Sequence, residues 1–546
     1  MLRLVALVAL LVSGWRVSSA LAQEPSKLLP ADLPMERVID HYLDAGLKEA
    51  NTQPAAPADD ATLIRRLTLD LNGRIPTLAE TAEYMAAPEA TRKAQLVDRL
   101  MASPAFIRHQ AHEFFAFLQA QDDSRKAGKR TLLLDYLLTA FGENRGWDRM
   151  FRDMMLPDDD NPSLRGAGEF LKARVKDLNR MTIDTSIVFF GVNVSCAQCH
   201  NHPHVQAWTQ DHFYGMKNFF ARTVEAGPFL AERDFGLVKY VPNKGTEKVA
   251  PVMFLTGKAL DVPGLKEPTK EEKKIEQARL GDFKKAKKQP PPPQFSLRAK
   301  LVETVLEPGQ HDYFARAIVN RLWHRLYGRG LVMPLDQMHA ENPPSHPELL
   351  HWLARDLASN HYDLRRLMRG LVLSNAYARG SRWEGDKLPP EELFAVAQVR
   401  PLTPAQMATA LKLATTDQSV LPTAMDDLEK RLAALEKSAE VWTSFFPQPA
   451  DNFQVGVSEA MLFANNQSLQ KGLLEGDDSL AAKLATEPDA ARRADLAVRA
   501  ILCRPARPDE IQTLSEYLRR RADRDQAACQ QIVWALLTSA EFRFNH

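Results

Sequence analysis

Residues 59–73 read DDATLIRRLTLDLNG, and this stretch carries the pattern on which the fold class rests. Leu63, Leu67 and Leu71 recur at the spacing of one face of an α-helix. The two aspartates at its start offer an N-cap, and Gly73 suits the left-handed residue that ends a helix. The stretch therefore predicts one short helix with defined ends.

The same kind of helix signal recurs on both sides of this stretch. Residues 77–80 and 345–348 have the order of a capping box, and Pro104 fits the first turn of another helix. Asp363 precedes an apolar stripe, and residues 532–544 are amphipathic, so the C-terminal residues are expected to be packed. The pattern predicts a mainly α protein.

Changes in amino-acid composition divide the chain into segments, and a length of 546 residues favours more than one domain. Residues between about 224 and 256 are rich in β-formers broken by Gly, Pro and Asn, and a Lys-rich run then leads into four prolines, which favours a stiff spacer. The predicted segments are a signal peptide (1–22), a loosely ordered Pro/Ala-rich lead-in (23–57), a helical domain (58–223), a small β insertion with a Lys/Pro-rich linker (224–300) and a second helical domain (301–546).

The start of the chain and its charge bear on location and partners. A basic residue, an apolar run and a small-residue site are typical of a cleaved signal peptide, and the run is too short to cross a bilayer. We expect a periplasmic or secreted protein with no membrane span after cleavage. Lys plus Arg (70) balances Asp plus Glu (69), so the net charge does not favour a nucleic-acid partner.

The residues that carry chemistry are Cys196-Ala197-Gln198-Cys199-His200. This C-x-x-C-H spacing is that of covalent haem attachment, in which two thiols bind the porphyrin and the histidine ligates the iron. Haem c on Cys196, Cys199 and His200 is the leading interpretation. It predicts a redox or electron-transfer role with an extracytoplasmic redox partner, although the sequence does not decide whether the protein is an enzyme.

Two other interpretations of the motif remain open. His200, His202 and His204 lie within five residues, and two of them together with the two thiols could bind zinc or another divalent metal in an extracytoplasmic enzyme. A redox-active or structural disulfide is the third possibility. A helical scaffold that binds a partner is the non-catalytic alternative.

A haem would also need a sixth ligand and apolar walls. Met216 or His212 could close the iron coordination shell and favour electron transfer. The candidate wall residues are Ile187 to Phe190, Trp208, Phe213, Tyr214, Phe219 and Phe220, which could equally be ordinary core. The more remote candidate histidines are His109, His112, His324, His339 and His346.

Cys503 and Cys529 form a second, distant pair near the end of the chain. In an oxidising compartment they could form a disulfide, and the alternative is two buried free thiols. Either would serve stability and not catalysis.

Several segments together resemble the planctomycete cytochrome-related proteins built from two paired domains of unknown function. Residues 63–77, 196–203 with Trp208, and 219–223 resemble the first domain. Those that resemble the second are residues 316–323, 327–332, 342–350 and 534–542.

The resemblance implies a cytochrome-like motif but no settled activity. Many relatives carry a separate cytochrome c domain in front, which this chain lacks. Relatives commonly have Asp and Phe where this chain has Asn201 and His204. If the shared feature is the whole Cys-Cys-His-x-His cluster, the resemblance implies metal binding instead of haem.

Overall fold

The structure, a computed structural model, describes residues 28–119, 131–203, 205–206, 208–262, 267–307, 313–449, 461–463 and 465–546. The predicted signal peptide (1–22) lies outside the described residues, as does His204. The described chain is mainly helical, with strands confined to small two-stranded sheets, so the predicted fold class is confirmed.

Ten α-helices precede the first strand in the described part of the chain. They are α1 Met35–Glu49, α2 Asp60–Asn72, α3 Leu78–Ala86, α4 Glu89–Ala102, α5 Pro104–Gln119, α6 Leu132–Gly142, α7 Trp147–Met155, α8 Glu169–Lys172, α9 Leu178–Phe190 and α10 Gln210–Asn218. A 3-10 helix, Ser195–Gln198, lies between α9 and α10.

Antiparallel hairpins follow α10. Their strands are β1 Thr223–Ala226 with β2 Phe229–Glu232, β3 Lys239–Tyr240 with β4 Lys248–Val249, and β5 Val252–Met253 with β6 Ala259–Leu260. A further short pair, β7 Arg400–Pro401 with β8 Phe544–Asn545, joins the C-terminal residues to the middle of the chain. The β-rich sequence at about 224–256 therefore does form strands.

The remaining helices form the second half. They are α11 Lys270–Ala286, α12 Leu297–Leu306, α13 Tyr313–Tyr327, α14 Pro347–Ser359, α15 Leu364–Leu373, α16 Pro404–Ala414, α17 Met425–Ala439, α18 Gln467–Leu474, α19 Leu480–Thr486, α20 Ala490–Leu502, α21 Pro508–Arg520, α22 Asp525–Leu537 and α23 Ala540–Arg543. Within the described residues, no helix has the length and apolar character needed to cross a membrane.

The helix ends predicted around α2 and α3 are confirmed. The side chain of Asp59 accepts a hydrogen bond from the Thr62 N–H, and Gly73 ends α2 with φ +70°. Thr77 and Glu80 form the predicted capping box of α3. These local signals hold because each is satisfied by atoms within a few residues.

Three local predictions are wrong. Residues 35–49 of the supposedly loose lead-in form α1, whose buried face includes Val38 and Leu43. The Lys-rich part of the supposed spacer forms α11, because a capping box at Thr269 starts it. The predicted capping box at residues 345–348 is absent, since α14 has His346 as N-cap, no side-chain cap bond, and proline in its first turn.

Two large hydrophobic cores organise the described chain, and segments from before and after the predicted insertion (224–300) share the first of them. The first draws its residues from Met35 through Phe394, because helices before and after the insertion, such as α9 and α13, pack together. The second draws mainly on residues 402–542 and also takes Leu69 and Ile75. Helix α2 lies between the cores, so Leu63 through Asn72 are all buried.

A buried polar network on α2 ties the two cores together. Both carboxylate oxygens of Asp70 pair with the Arg400 guanidinium, at 2.9 and 2.7 Å. The Tyr377 hydroxyl donates to the same carboxylate at 2.7 Å, and the Asn545 amide donates at 2.8 Å. Asp70 therefore joins α2 to Tyr377, Arg400 and Asn545, each more than 300 residues away from it in sequence.

Cys503 and Cys529 are both buried in the second core and are not bonded to each other. Cys503 ends α20 in the left-handed conformation and accepts a hydrogen bond from Arg65 at 3.6 Å. Burial raises the pKa of both thiols. Of the two possibilities that the sequence left open, the structure has the free thiols.

Candidate functional site

The two motif cysteines lie on a 3-10 turn that follows α9. Gly191 ends α9 with φ +65°, and the chain then forms the 3-10 helix Ser195–Gln198. Cys196 lies within this 3-10 helix and Cys199 is the residue that follows it, so the two thiols are about one turn apart. Both thiols are free and exposed, whereas the intervening Ala197 is buried. The turn therefore presents two unpaired thiols to the solvent.

His200 follows the turn with an exposed side chain of defined tautomer. Its Nδ1 lies 2.7 Å from the carbonyl oxygen of Asn201. A carbonyl oxygen only accepts hydrogen bonds, so Nδ1 carries the proton and Nε2 keeps its lone pair. Metal-ligating histidines commonly donate their other ring N–H to a carbonyl in this way. The ring is therefore prepared to ligate through Nε2.

His202 has the opposite hydrogen-bonding arrangement. The Val205 N–H donates to its Nδ1 at 3.0 Å, so the neutral ring carries its proton on Nε2. The side chain is buried edge-on against Trp208, at 5.4 Å between ring centroids. Its backbone N–H also donates to the Trp208 carbonyl at 2.7 Å. Through these contacts His202 stabilises the loop between residues 202 and 208. The other predicted ligand, His204, lies outside the described residues.

The second half of the chain supplies the base of the site. The Asn193 side chain and N–H donate to Asp336, at 3.0 and 2.8 Å. Among the remote histidines, His339 is the one whose ring is packed here, 5.7 Å from Trp208 and 6.1 Å from His202. No sequence signal singled it out, because the packing joins loops more than 130 residues apart.

Helix α10 holds the motif turn through polar contacts. The Gln210 side chain and the Tyr214 hydroxyl both donate to the Gln198 carbonyl oxygen at 3.2 Å. Burial raises the pKa of Tyr214, and the neighbouring Cys199 contributes in the same direction. Tyr214 stacks on Tyr240 with ring centroids 4.0 Å apart. The surroundings of the thiols thus combine amide, hydroxyl and aromatic groups.

The predicted sixth ligands are placed differently from the motif. Met216 is fully buried in the first core. The Nδ1 of His212 accepts a hydrogen bond from the Thr209 N–H at 3.2 Å, at the start of α10. Burial lowers the pKa of His212. Both side chains therefore already have structural roles, one in packing and the other in capping.

Most of the aromatic residues predicted to wall a haem lie in the first core. Phe189 packs against Phe151 and Phe170, at centroid distances of 4.8 and 5.3 Å. Phe190 packs edge-on against Phe254 at 5.1 Å. These phenylalanines are therefore ordinary residues of the hydrophobic core.

The positions of Cys196, Cys199 and His200 can be compared with what a haem and a metal ion each require. Two exposed thiols about one turn apart, followed by an imidazole that offers Nε2, fit covalent haem attachment and proximal ligation. The apolar side chains and the sixth iron ligand that a haem needs are not free beside the turn, because the predicted residues are packed in the first core or cap α10. Among the described residues, no three His, Cys, Asp or Glu side chains form a group that could hold a metal ion.

Comparisons with known proteins find two family domains in the order that the resemblance implies, although residues 534–542 lie outside the second match. Residues 38–225 match PSCyt2, a protein of unknown function (DUF1549), and residues 297–434 match PSD1, a protein of unknown function (DUF1553). The chain therefore contains these two paired domains, in this order, and the first includes the Cys/His turn. Curated proteins and solved structures give no match.

Proposed function

We propose that the chain is an extracytoplasmic c-type haem protein that exchanges electrons with a redox partner. Cys196 and Cys199 hold the porphyrin through thioether bonds, and His200 is the proximal ligand. The observation that carries the proposal is the hydrogen bond from His200 Nδ1 to the Asn201 carbonyl, next to two free, exposed thiols. Together these contacts leave available the three groups that haem attachment uses.

The surface position of the turn supports an electron-transfer role over buried chemistry. A bound haem would supply one-electron chemistry, and its potential depends on ligands, hydrogen bonding and burial. The protein's own contribution is orientation: Gln210 and Tyr214 fix the Gln198 carbonyl, and Asn201 fixes the imidazole. An exposed attachment site gives a partner close approach.

A divalent metal site is the second candidate, and the closed aromatic core favours it. Cys196, Cys199 and His200 are of the residue types that bind zinc, but they would have to move closer together to do so, because among the described residues no three such side chains form a metal-holding group. The Nδ1 of His202 already accepts a hydrogen bond from the Val205 N–H. On this alternative, the site would use the exposed thiols without the apolar walls that a haem needs.

One preparation separates the two candidates. The full chain is produced with a c-type maturation system, and its absorption spectrum, pyridine haemochrome and metal content are measured. We expect one covalent haem per chain, lost in the Cys196→Ser Cys199→Ser double variant and retained in the matched control Cys529→Ser. Near-stoichiometric zinc without covalent haem would refute the haem proposal and support the metal site. Neither haem nor metal would refute both.

The imidazole has its own test. The His200→Ala variant is expected to keep the covalent haem, because both thiols remain, and to change the absorption spectrum of the reduced protein. The control His361→Ala removes an exposed histidine outside the site. An unchanged spectrum in His200→Ala would show that another residue is the proximal ligand.

A further inference from the structure

A cavity of about 290 Å³ opens between α16, α17 and the turn that follows α18. It belongs to the second core and lies outside the Cys/His turn. Its volume is near the lower end of the roughly 300–1,000 Å³ typical of small-molecule sites. The residues that matter for its chemistry are Lys412, Thr415, Thr416, Arg431, Ser438, Glu475 and Asp478.

Two cationic side chains line this cavity. Lys412 is half-buried in the last turn of α16, and within the described residues its ammonium group has neither an ion pair nor a hydrogen bond. It lies 5.8 Å from the ring centroid of Trp442. Burial and the nearby Arg431 charge lower the pKa of Lys412. Arg431 is paired with Asp478 only at 4.0 Å, so an anion placed between the two cations would still relieve this repulsion.

The hydroxyl groups of the cavity wall present acceptors. Thr415 and Thr416 donate to helix carbonyl oxygens at 2.8 Å, and Ser438 does so at 2.7 Å. Their protons are committed, but their oxygen lone pairs can still accept. The exposed carboxylates of Glu475 and Asp478 add further acceptors. Part of the wall therefore suits a ligand that carries hydroxyl donors.

One side of the cavity is lined by Gly472, in the last turn of α18, and by Gly476, in the turn that follows. Gly476 has φ +110°, and a Cβ built there would have no atom within 4 Å. A Cβ at Gly472 would lie 3.3 Å from the Trp442 ring. Small residues at this edge leave room for a ring-sized ligand beside the cations.

We propose that this cavity binds a hydroxylated organic acid of monosaccharide size, such as a hexuronate. The carboxylate is held by Lys412 and Arg431, and the ligand hydroxyls donate to the threonine, serine and acidic oxygens. The site is independent of the Cys/His turn, so a failure of the haem proposal leaves it unaffected.

Isothermal titration calorimetry of the full chain with D-glucuronate tests the proposal. We expect saturable binding that weakens as salt is added, with D-glucose and acetate each binding at least tenfold more weakly, because each offers only half of the required groups. Lys412→Met keeps the apolar stem and removes the charge, and it should weaken glucuronate binding at least tenfold. The matched control Lys430→Met removes an exposed lysine that pairs with Asp427, and its binding should not change.

Three results would overturn the proposal. One is no glucuronate binding by the wild-type chain, and another is equal binding of glucose and glucuronate. The third is wild-type affinity in Lys412→Met. If that variant does not fold, as judged by its thermal unfolding, Arg431→Gln decides instead, because Arg431 is exposed and its loss leaves the core intact. Wild-type affinity in Arg431→Gln would then refute the paired-cation site.

Discussion

Replacing Asp70 by asparagine is expected to destabilise the whole chain, because this carboxylate is the shared acceptor of a buried network. It receives two bonds from Arg400, one from Tyr377 and one from Asn545. Its side chain is 4% exposed and that of Arg400 is 16% exposed. The substitution keeps the volume but removes the charge that compensates a desolvated guanidinium.

The magnitude follows from the cost of breaking such a pair. Removing one partner of a buried ion pair costs about 3–5 kcal/mol, because the other charge stays buried without compensation. An exposed pair is worth about 0–1 kcal/mol. The protein offers an exposed pair of the same chemistry, Asp98 with Arg369, whose side chains are 55% and 44% exposed. Asp98→Asn is therefore the matched control.

Urea unfolding of both variants, followed by circular dichroism and tryptophan fluorescence, measures the difference. We expect Asp70→Asn to lose about 3–5 kcal/mol of unfolding free energy and Asp98→Asn less than about 1 kcal/mol. The fluorescence transition should shift with the dichroism transition, since the network joins both cores. Equal losses in the two variants would refute the assignment of Asp70 as the link between the cores.

Three other outcomes follow from the described contacts. Although burial opposes it, the Arg74 guanidinium lowers the pKa of Glu80 from 4.5 to about 2, so the stability from this pair is present above about pH 4.5 and is lost as the pH falls towards 2. Glu80→Gln should cost about 2 kcal/mol at pH 7 and much less at pH 2, and a pH-independent cost would contradict this. Cys503 and Cys529 should resist a maleimide in the folded chain and react after unfolding without reductant, whereas a bridged peptide in mass spectrometry would disprove the free thiols. Gly73→Ala should cost more than about 1 kcal/mol in urea unfolding, because φ is +70° and the new Cβ would clash with Nδ1 of His109; wild-type stability would exclude this strain.

The helix signals predicted much of the fold because their physical causes are local. The caps at Asp59, Thr77 and Asp363 satisfy backbone N–H groups within three residues of themselves. The predictions for the lead-in and the supposed spacer are wrong because they rest on composition, whereas helical spacing and capping decide whether a helix forms. Helices α1 and α11 form in these segments in spite of their Pro/Ala- and Lys-rich composition.

In the candidate site, too, the sequence predicts the local features and only the folded chain decides the long-range ones. The spacing of Cys196, Cys199 and His200 identified the reactive groups from sequence, since the motif lies within five residues. The His200 tautomer and the packing of His339 against Trp208 depend on atoms that only the folded chain brings together. The sharing of the first core by both halves of the chain is likewise a property of the tertiary structure.

The stretch 59–73 shows what the sequence by itself determined. Its spacing and its end residues determined a helix from Asp60 to Asn72, because helix formation and capping depend on near neighbours. Only the tertiary structure decided that α2 is buried all round, with polar residues paired to partners 300 residues away. The reason is physical: an arginine or aspartate on a helix is stable in solvent or in a buried pair, and only the folded chain supplies the pair.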